Sequence, residues 1–159
     1  MNKCYTYDDV NIIPKFSEIS SRGDVVLDTQ FTKRTKISLP IVSAPMDTIT
    51  ESEMAIGMMS MGGVGVIHRF MDIQKQKEEV QRTFDFWETI EPAFDNEDDW
   101  LSVPICAAIG VSGDYLERGQ ELANSGCSVL LIDVAHGHHK NVGEAIEEIK
   151  KNIQGVEVI

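Results

Sequence analysis

The chain has 159 residues, 42% of them hydrophobic, and a formal charge of −12 at pH 7. That size allows one domain with a real core, and the acidity argues against a groove for nucleic acid, which needs clustered Lys and Arg. No apolar run approaches the ~20 residues of a membrane span, the start of the chain lacks a signal-peptide core, and three cysteines at unrelated spacings (Cys4, Cys106, Cys127) fit reduced thiols in a cytoplasmic setting.

Residues 5–14 form a polar lead-in and a short apolar run closed by Pro14, and residues 17–22 have loop composition. Val25, Val26, Leu27 and Ile37 are expected to form a small hairpin around the basic turn 32–36, and the whole segment is expected to cover the bottom of a barrel. A strand at Ile41–Val42 follows. Thr50 with Glu53 three residues on has the pattern of a capping box, so a helix should begin there. Met54, Met58 and Met61 recur at helical spacing as the stripe that lies on the sheet, and Gly62-Gly63 ends the helix. The next strand is residues 64–67. Strand, helix and strand in this spacing form a βαβ unit with parallel strands. The loop 43–48 then lies at a strand's carboxyl end, where α/β folds place ligands.

Asp72 is expected to cap a helix over 72–84, with Ile73, Val80 and Phe84 as its apolar positions. Residues 85–99 carry seven acidic residues and no Lys or Arg, and read as an inter-element insertion anchored by Trp87 and Trp100. Strands are expected at 105–109, 129–132 and 156–159. The helices between them cover 114–124, with Leu116 and Leu122 inward, and 142–152, with Val142, Ile146, Ile149 and Ile153 on one stripe. Five strands alternating with four helices predict a parallel sheet covered by helices. A (β/α)₈ barrel needs eight of each, so the expected fold is a partial barrel and the chain reads as cut. Ile41, Val66, Ile105, Leu131 and Val158 are expected on the exposed inner face of the open sheet.

Among chemistry-bearing residues, Asp133 ends the fourth strand and so projects towards the ligand side of a parallel sheet. His136, His138 and His139 are neighbours on one loop, a poor arrangement for converging on a metal ion, and no metal site is expected. His68, which ends the second strand, faces either the site or a neighbouring loop. Cys106 and Cys127 belong to apolar strands and read as inert core thiols.

The motifs Tyr7-Asp8-Asp9-Val10 with Ile13-Pro14, Ser43-Ala44-Pro45-Met46-Asp47-Thr48-Ile49-Thr50-Glu51, Gly62 to Arg69 and Asp133-Val134-Ala135-His136-Gly137-His138 together resemble the family that contains IMP dehydrogenase and GMP reductase. The resemblance implies a barrel that binds a purine nucleotide, IMP or GMP, and NAD, or NADP in the reductase alternative. Ala44 and Met46 would lie against the nucleotide. Asp133, with Val134 and Ala135, would meet the nicotinamide ribose, and His68 and Arg69 would lie near the adenosine end of the cofactor. The family's regulatory pair of nucleotide-sensing modules would stand where the chain has only residues 85–99. No residue here matches the nucleophilic cysteine, so no catalytic residue is assigned, and the family's monovalent-cation site also falls outside this sequence. The parent reaction implied is oxidation of IMP to XMP; the alternatives are GMP reduction, a non-catalytic half-barrel, or one piece of a split enzyme. Self-association or pairing with a complementary C-terminal fragment is expected.

Overall fold

A computed structural model describes residues 3–90 and 104–159. A two-residue hairpin pair, β1 (Thr29–Gln30) and β2 (Lys36–Ile37), precedes the main sheet. That sheet is wholly parallel, in the order β3 (Val42–Ser43), β4 (Val64–Ile67), β5 (Cys106–Ile109), β6 (Val129–Ile132) and β7 (Glu157–Val158). Among the described residues the helices between its strands are α1 (Ser52–Ser60), α2 (Ile73–Ile90), α3 (Tyr115–Asn124) and α4 (Lys140–Asn152). Every strand pairs with its neighbour in sequence, which makes the chain part of a (β/α)₈ barrel.

The strand alternation sorts the core into two layers. Ile67, Ala107, Ile109 and Leu130 point to the helices and join Ala55, Met59, Val80, Leu122, Ile149 and Ile153. Val64, Val66, Cys106, Ala108 and Val129 point to the inner side. The expectation of an exposed inner face is corrected here: Val66 is fully buried because Ile37 and Phe31 of the hairpin segment cover that layer. Ile105 and Val158 belong to the helix side, Leu131 is half-buried, and only Ile41 of the five is exposed. The hairpin is fastened at the amino end of the sheet by Glu157. Its carboxylate accepts from the Thr32 and Thr35 hydroxyls (3.1 Å for Thr35) and from the Arg34 N–H at 3.2 Å. The rest of the N-terminal segment does not cover the barrel. Residues 3–28 are exposed throughout, including Tyr7, Ile12 and Phe16, and Val25 to Leu27 lie outside the hairpin.

Two helices differ from their sequence pattern. Helix α1 buries Ser52, Ala55 and Met59, whereas Met54 and Met61 are exposed. The reason is close packing: a Cβ on Gly65 of β4 would stand 2.5 Å from Ala55 Cα, so the small residue must face the strand. The helix ends as expected, with Gly62 at φ 80° and the Gly62 and Gly63 N–H groups bonded to the Met59 and Met58 carbonyls. Thr50 forms no capping box; the Ser52 N–H at the start of α1 is instead accepted by Glu79 Oε2 of α2 at 2.9 Å.

Helix α2 begins as expected, with Asp72 Oδ1 accepting from the Lys75 N–H at 2.7 Å. It continues to Ile90, so residues 85–90 are helical, and Phe84, Phe86, Trp87 and Ile90 pack on the core. The remainder of the acidic stretch, with Trp100, lies outside the described residues. The buried face of α2 is largely polar: Gln76, Glu79 and Thr83 accompany Val80. Gln76 fills the gap where β4 and β5 part, donating to the Ala108 carbonyl at 2.8 Å and the Ile67 carbonyl at 3.5 Å. Arg118 of α3 completes this network. It donates to Gln76 Oε1 at 2.8 Å and to the Met71 carbonyl at 3.1 Å, and holds Asp114 by two nitrogens. Strand carbonyls left unpaired there would cost ~1–3 kcal/mol each.

Three of these structural carboxylates make stability acid-sensitive. Burial opposes ionisation of Glu79, but hydrogen bonds from Ser52 and the charges of Arg82 and Lys75 outweigh it and hold the group below its ordinary 4.5. Glu157 is likewise lowered by Thr32, Thr35 and Arg34 against burial, and Asp114 is lowered first by its hydrogen bond to Arg118. A carboxylate whose folded pKa is depressed stabilises the fold above its unfolded pKa and loses that contribution as pH falls through the folded value. The melting temperature is therefore expected to be steady from about pH 7 to 5 and to fall below about pH 4.5. Glu79→Gln should melt lower at neutral pH and show a shallower acid decline. Scanning calorimetry across this range reads both effects.

Candidate functional site at the carboxyl edge of the sheet

The carboxyl ends of β3, β4 and β6 carry the residues singled out in the sequence. The β3–α1 loop turns tightly. The Met46 N–H donates to the Ala44 carbonyl at 2.8 Å, and the Ile49 and Thr50 N–H groups both donate to the Met46 carbonyl. Ala44 and Met46 are exposed on this loop, Met46 at 52%. Thr50 fixes the loop from beneath. It is fully buried, its hydroxyl donates to the Ala44 carbonyl at 2.7 Å, and it lies 2.9 Å from Ser43 Oγ.

His68 and Arg69 follow β4 and point in different directions. His68 is 2% exposed and turns towards the β3–α1 loop, where its Nε2 lies 3.3 Å from Glu51 Oε1. Its Nδ1 accepts from the Phe70 N–H at 3.1 Å, which places the ring proton of the neutral imidazole on Nε2, donating to Glu51. Glu51 also pairs with Lys75 at 3.5 Å. Arg69 instead crosses the sheet edge to the end of β6. Its Nε lies 3.3 Å from Asp133 Oδ2 and its Nη2 donates to the Asp133 carbonyl at 3.1 Å. The guanidinium also stands 5.4 Å from the centroid of the exposed Phe70 ring.

Asp133 is half-buried and its N–H donates to the Ile109 carbonyl at 2.9 Å, so the β5–β6 ladder fixes its position. Val134 is half-buried and Ala135 exposed beside it. The structure thus brings Arg69 to Asp133, and His68 to the loop that bears Ala44 and Met46. The loop after Asp133 uses its histidines locally: His139 Nδ1 caps α4 by accepting from the Asn141 N–H at 3.1 Å, and His136 and His138 are exposed. Among the described residues, no group of three His, Cys, Asp or Glu could hold a metal ion.

The thiols stand apart from this edge chemistry. Cys106 lies in the inner layer and Cys127 on the helix side. Burial raises the Cys106 thiol well above its ordinary range and pushes Cys127 up to about 12. The role of Glu51 was not evident from the sequence, because it acts through His68, seventeen residues away.

A partial (β/α)₈ barrel with a ligand-facing carboxyl edge defines the class. A family model described as "IMP dehydrogenase / GMP reductase domain" matches residues 4–159, and the chain belongs to that family. Curated relatives agree. It is 31% identical to inosine-5'-monophosphate dehydrogenase of Borreliella burgdorferi, over 97% of this chain and 46% of the relative. The same-named protein of Cryptosporidium parvum is 32% identical over 96% of this chain and 44% of its own length. That of Nitrosopumilus maritimus is 28% identical over 97% and 55%. The chain spans about half the length of these curated relatives.

Proposed function

We propose that this chain forms the nucleotide- and cofactor-facing N-terminal part of a purine-nucleotide oxidoreductase whose parent reaction converts IMP, NAD and water to XMP and NADH. The observation that supports it best is the Arg69–Asp133 pair, set on the same strand edge as the exposed Ala44–Met46 loop. Ala44 and Met46 receive the purine nucleotide. Asp133, Val134 and Ala135 receive the nicotinamide ribose, and Arg69, backed by His68, lies along the cofactor. NAD suits this donor set: Asp133 presents a partly exposed carboxylate to accept from ribose hydroxyls, and Arg69 a partly exposed cation for the adenosine side. When bound, NAD supplies the hydride acceptor. Val134 favours a second reading, GMP reduction with NADPH, by its likeness to reductases. Among the described residues no strand pairs with the outer edges of β3 and β7, and these edges, with the exposed apolar side chains of residues 3–28, support self-association or pairing with a complementary C-terminal fragment. Free thiols at all three cysteines suit a cytoplasmic, reducing setting.

The test is a separate NMR titration of the chain with NAD and with IMP. NAD should shift Arg69 and residues 133–135, and IMP should shift residues 44–46. Charge-assisted hydrogen bonds are worth roughly 1.5–3 kcal/mol, so Asp133→Ala should weaken NAD at least about tenfold and leave IMP unchanged. Loss of IMP binding with NAD retained would refute the assignment.

A further inference from the structure

The two halves of the candidate site hang on one pair of side chains. The Thr50 hydroxyl holds the Ala44 carbonyl, and the Thr50 carbonyl accepts the His68 N–H at 3.2 Å. The next residue, Glu51, accepts the proton of His68 Nε2, and the other ring nitrogen holds the Phe70 N–H. Arg69 is the residue between His68 and Phe70, so the ring grips the backbone on both sides of it. The imidazole is therefore bonded at once to the loop that carries Ala44 and Met46 and to the turn that aims Arg69 at Asp133. Its side chain is 3% exposed, so both ring nitrogens are shielded from water, although the Glu51 carboxylate is 40% exposed.

We infer that Glu51 and His68 are positioning residues, a strut that sets the spacing and orientation of the nucleotide loop relative to the Arg69–Asp133 pair. This rests on the proposed function for its ligands, although the strut itself is a property of the free chain. His68 is buried, and the partly exposed Glu51 carboxylate is engaged by His68 and Lys75. Both act through the backbone they hold. The role demands both ring nitrogens. Asparagine at position 68 can imitate the Nδ1 acceptor but does not reach Glu51, whereas glutamine can imitate the Nε2 donor but abandons Phe70.

Nitrogen-15 NMR of the 159-residue chain tests this without ligand. The neutral His68 ring should show the Nε2-protonated tautomer. Glu51→Ala, which removes the acceptor for Nε2, should shift amide resonances on both sides of the strut, at residues 44–46 and at Arg69, Phe70 and Asp133. Ala107 and Ile149, in the sheet and α4, should stay in place and report an intact fold. A proton on Nδ1, or shifts confined to the neighbours of position 51, overturns the strut. A second arm titrates NAD and IMP separately into the wild-type chain and into Glu51→Ala, with His68→Gln as the variant that keeps a donor for Glu51. Each ligand should weaken by about three- to tenfold in Glu51→Ala, since both half-sites are displaced. An effect on neither ligand, or on one alone, overturns the inference. Should the wild-type chain bind neither ligand, the proposed function fails, while the tautomer and the two-sided response still decide the strut.

Discussion

Gly65→Ala is expected to unfold the chain or cost it ~3 kcal/mol or more, a larger loss than any exposed substitution in α1. A Cβ at position 65 would meet Ala55 Cα at 2.5 Å, Ala55 Cβ at 3.0 Å and Ala55 N at 3.2 Å. Those are mostly backbone atoms of the packed helix, so relief requires moving α1 off β4 as a body. Overpacking in cores costs typically ~1–3 kcal/mol even where side chains can rearrange, and here they cannot. Displacing α1 would also pull the Ser52 N–H from the buried Glu79 carboxylate. Gly57→Ala is the matched control. It lies in the interior of the same helix with nothing within 4 Å of its added Cβ, and should stabilise by ~0.5–1 kcal/mol. Urea denaturation of both variants separates the outcomes; a Gly65→Ala midpoint equal to wild type would show that α1 rides looser on β4 than its contacts state.

The purified 159-residue polypeptide, supplied with IMP and NAD, is expected to form no NADH above the blank. Covalent chemistry at a cysteine needs an exposed thiolate and an activating neighbour. Cys106 and Cys127 are buried, and both thiols are displaced towards the neutral form by burial; Cys127 additionally lies 3.2 Å from the Val129 carbonyl. Cys4 is exposed and precedes every helix and strand of the chain. Maleimide labelling followed by mass spectrometry should accordingly find one thiol fast in the native chain and three in denaturant. NADH formation that disappears in Cys106→Ala would contradict this reading of the thiols.

The apolar runs at 64–67, 105–109 and 129–132 revealed β4, β5 and β6 to within a residue, because a strand buried on both faces needs uninterrupted small and branched side chains. The positions of the loop after β3 and of Asp133 after β6, at the carboxyl edge of the sheet, were legible from that alternation alone. What stayed hidden depends on distant partners. The buried polar face of α2 looks solvent-exposed in sequence, because Gln76 and Glu79 are satisfied by strand carbonyls, Arg118 and Ser52 from other units. Methionine spacing misdirected the reading of α1, since hydrophobicity does not register that Gly65 admits only a small neighbour. His68 could be narrowed to two orientations, but the choice required Glu51, seventeen residues earlier, to be seen in space.

Sheet order that follows chain order also carries a kinetic meaning. Each unit docks on the one synthesised just before it, so loop-closure entropy stays small at every step and the parallel sheet can grow as a staircase. The fastening of Glu157 to Thr32 and Thr35 reaches much farther, joining residues 125 and 122 positions apart. It cannot form until β7 exists, and until then the hairpin is held by the packing of Ile37 and Phe31 on the inner layer. That latch therefore belongs to the end of folding: its removal should accelerate unfolding while leaving the rate of folding nearly unchanged.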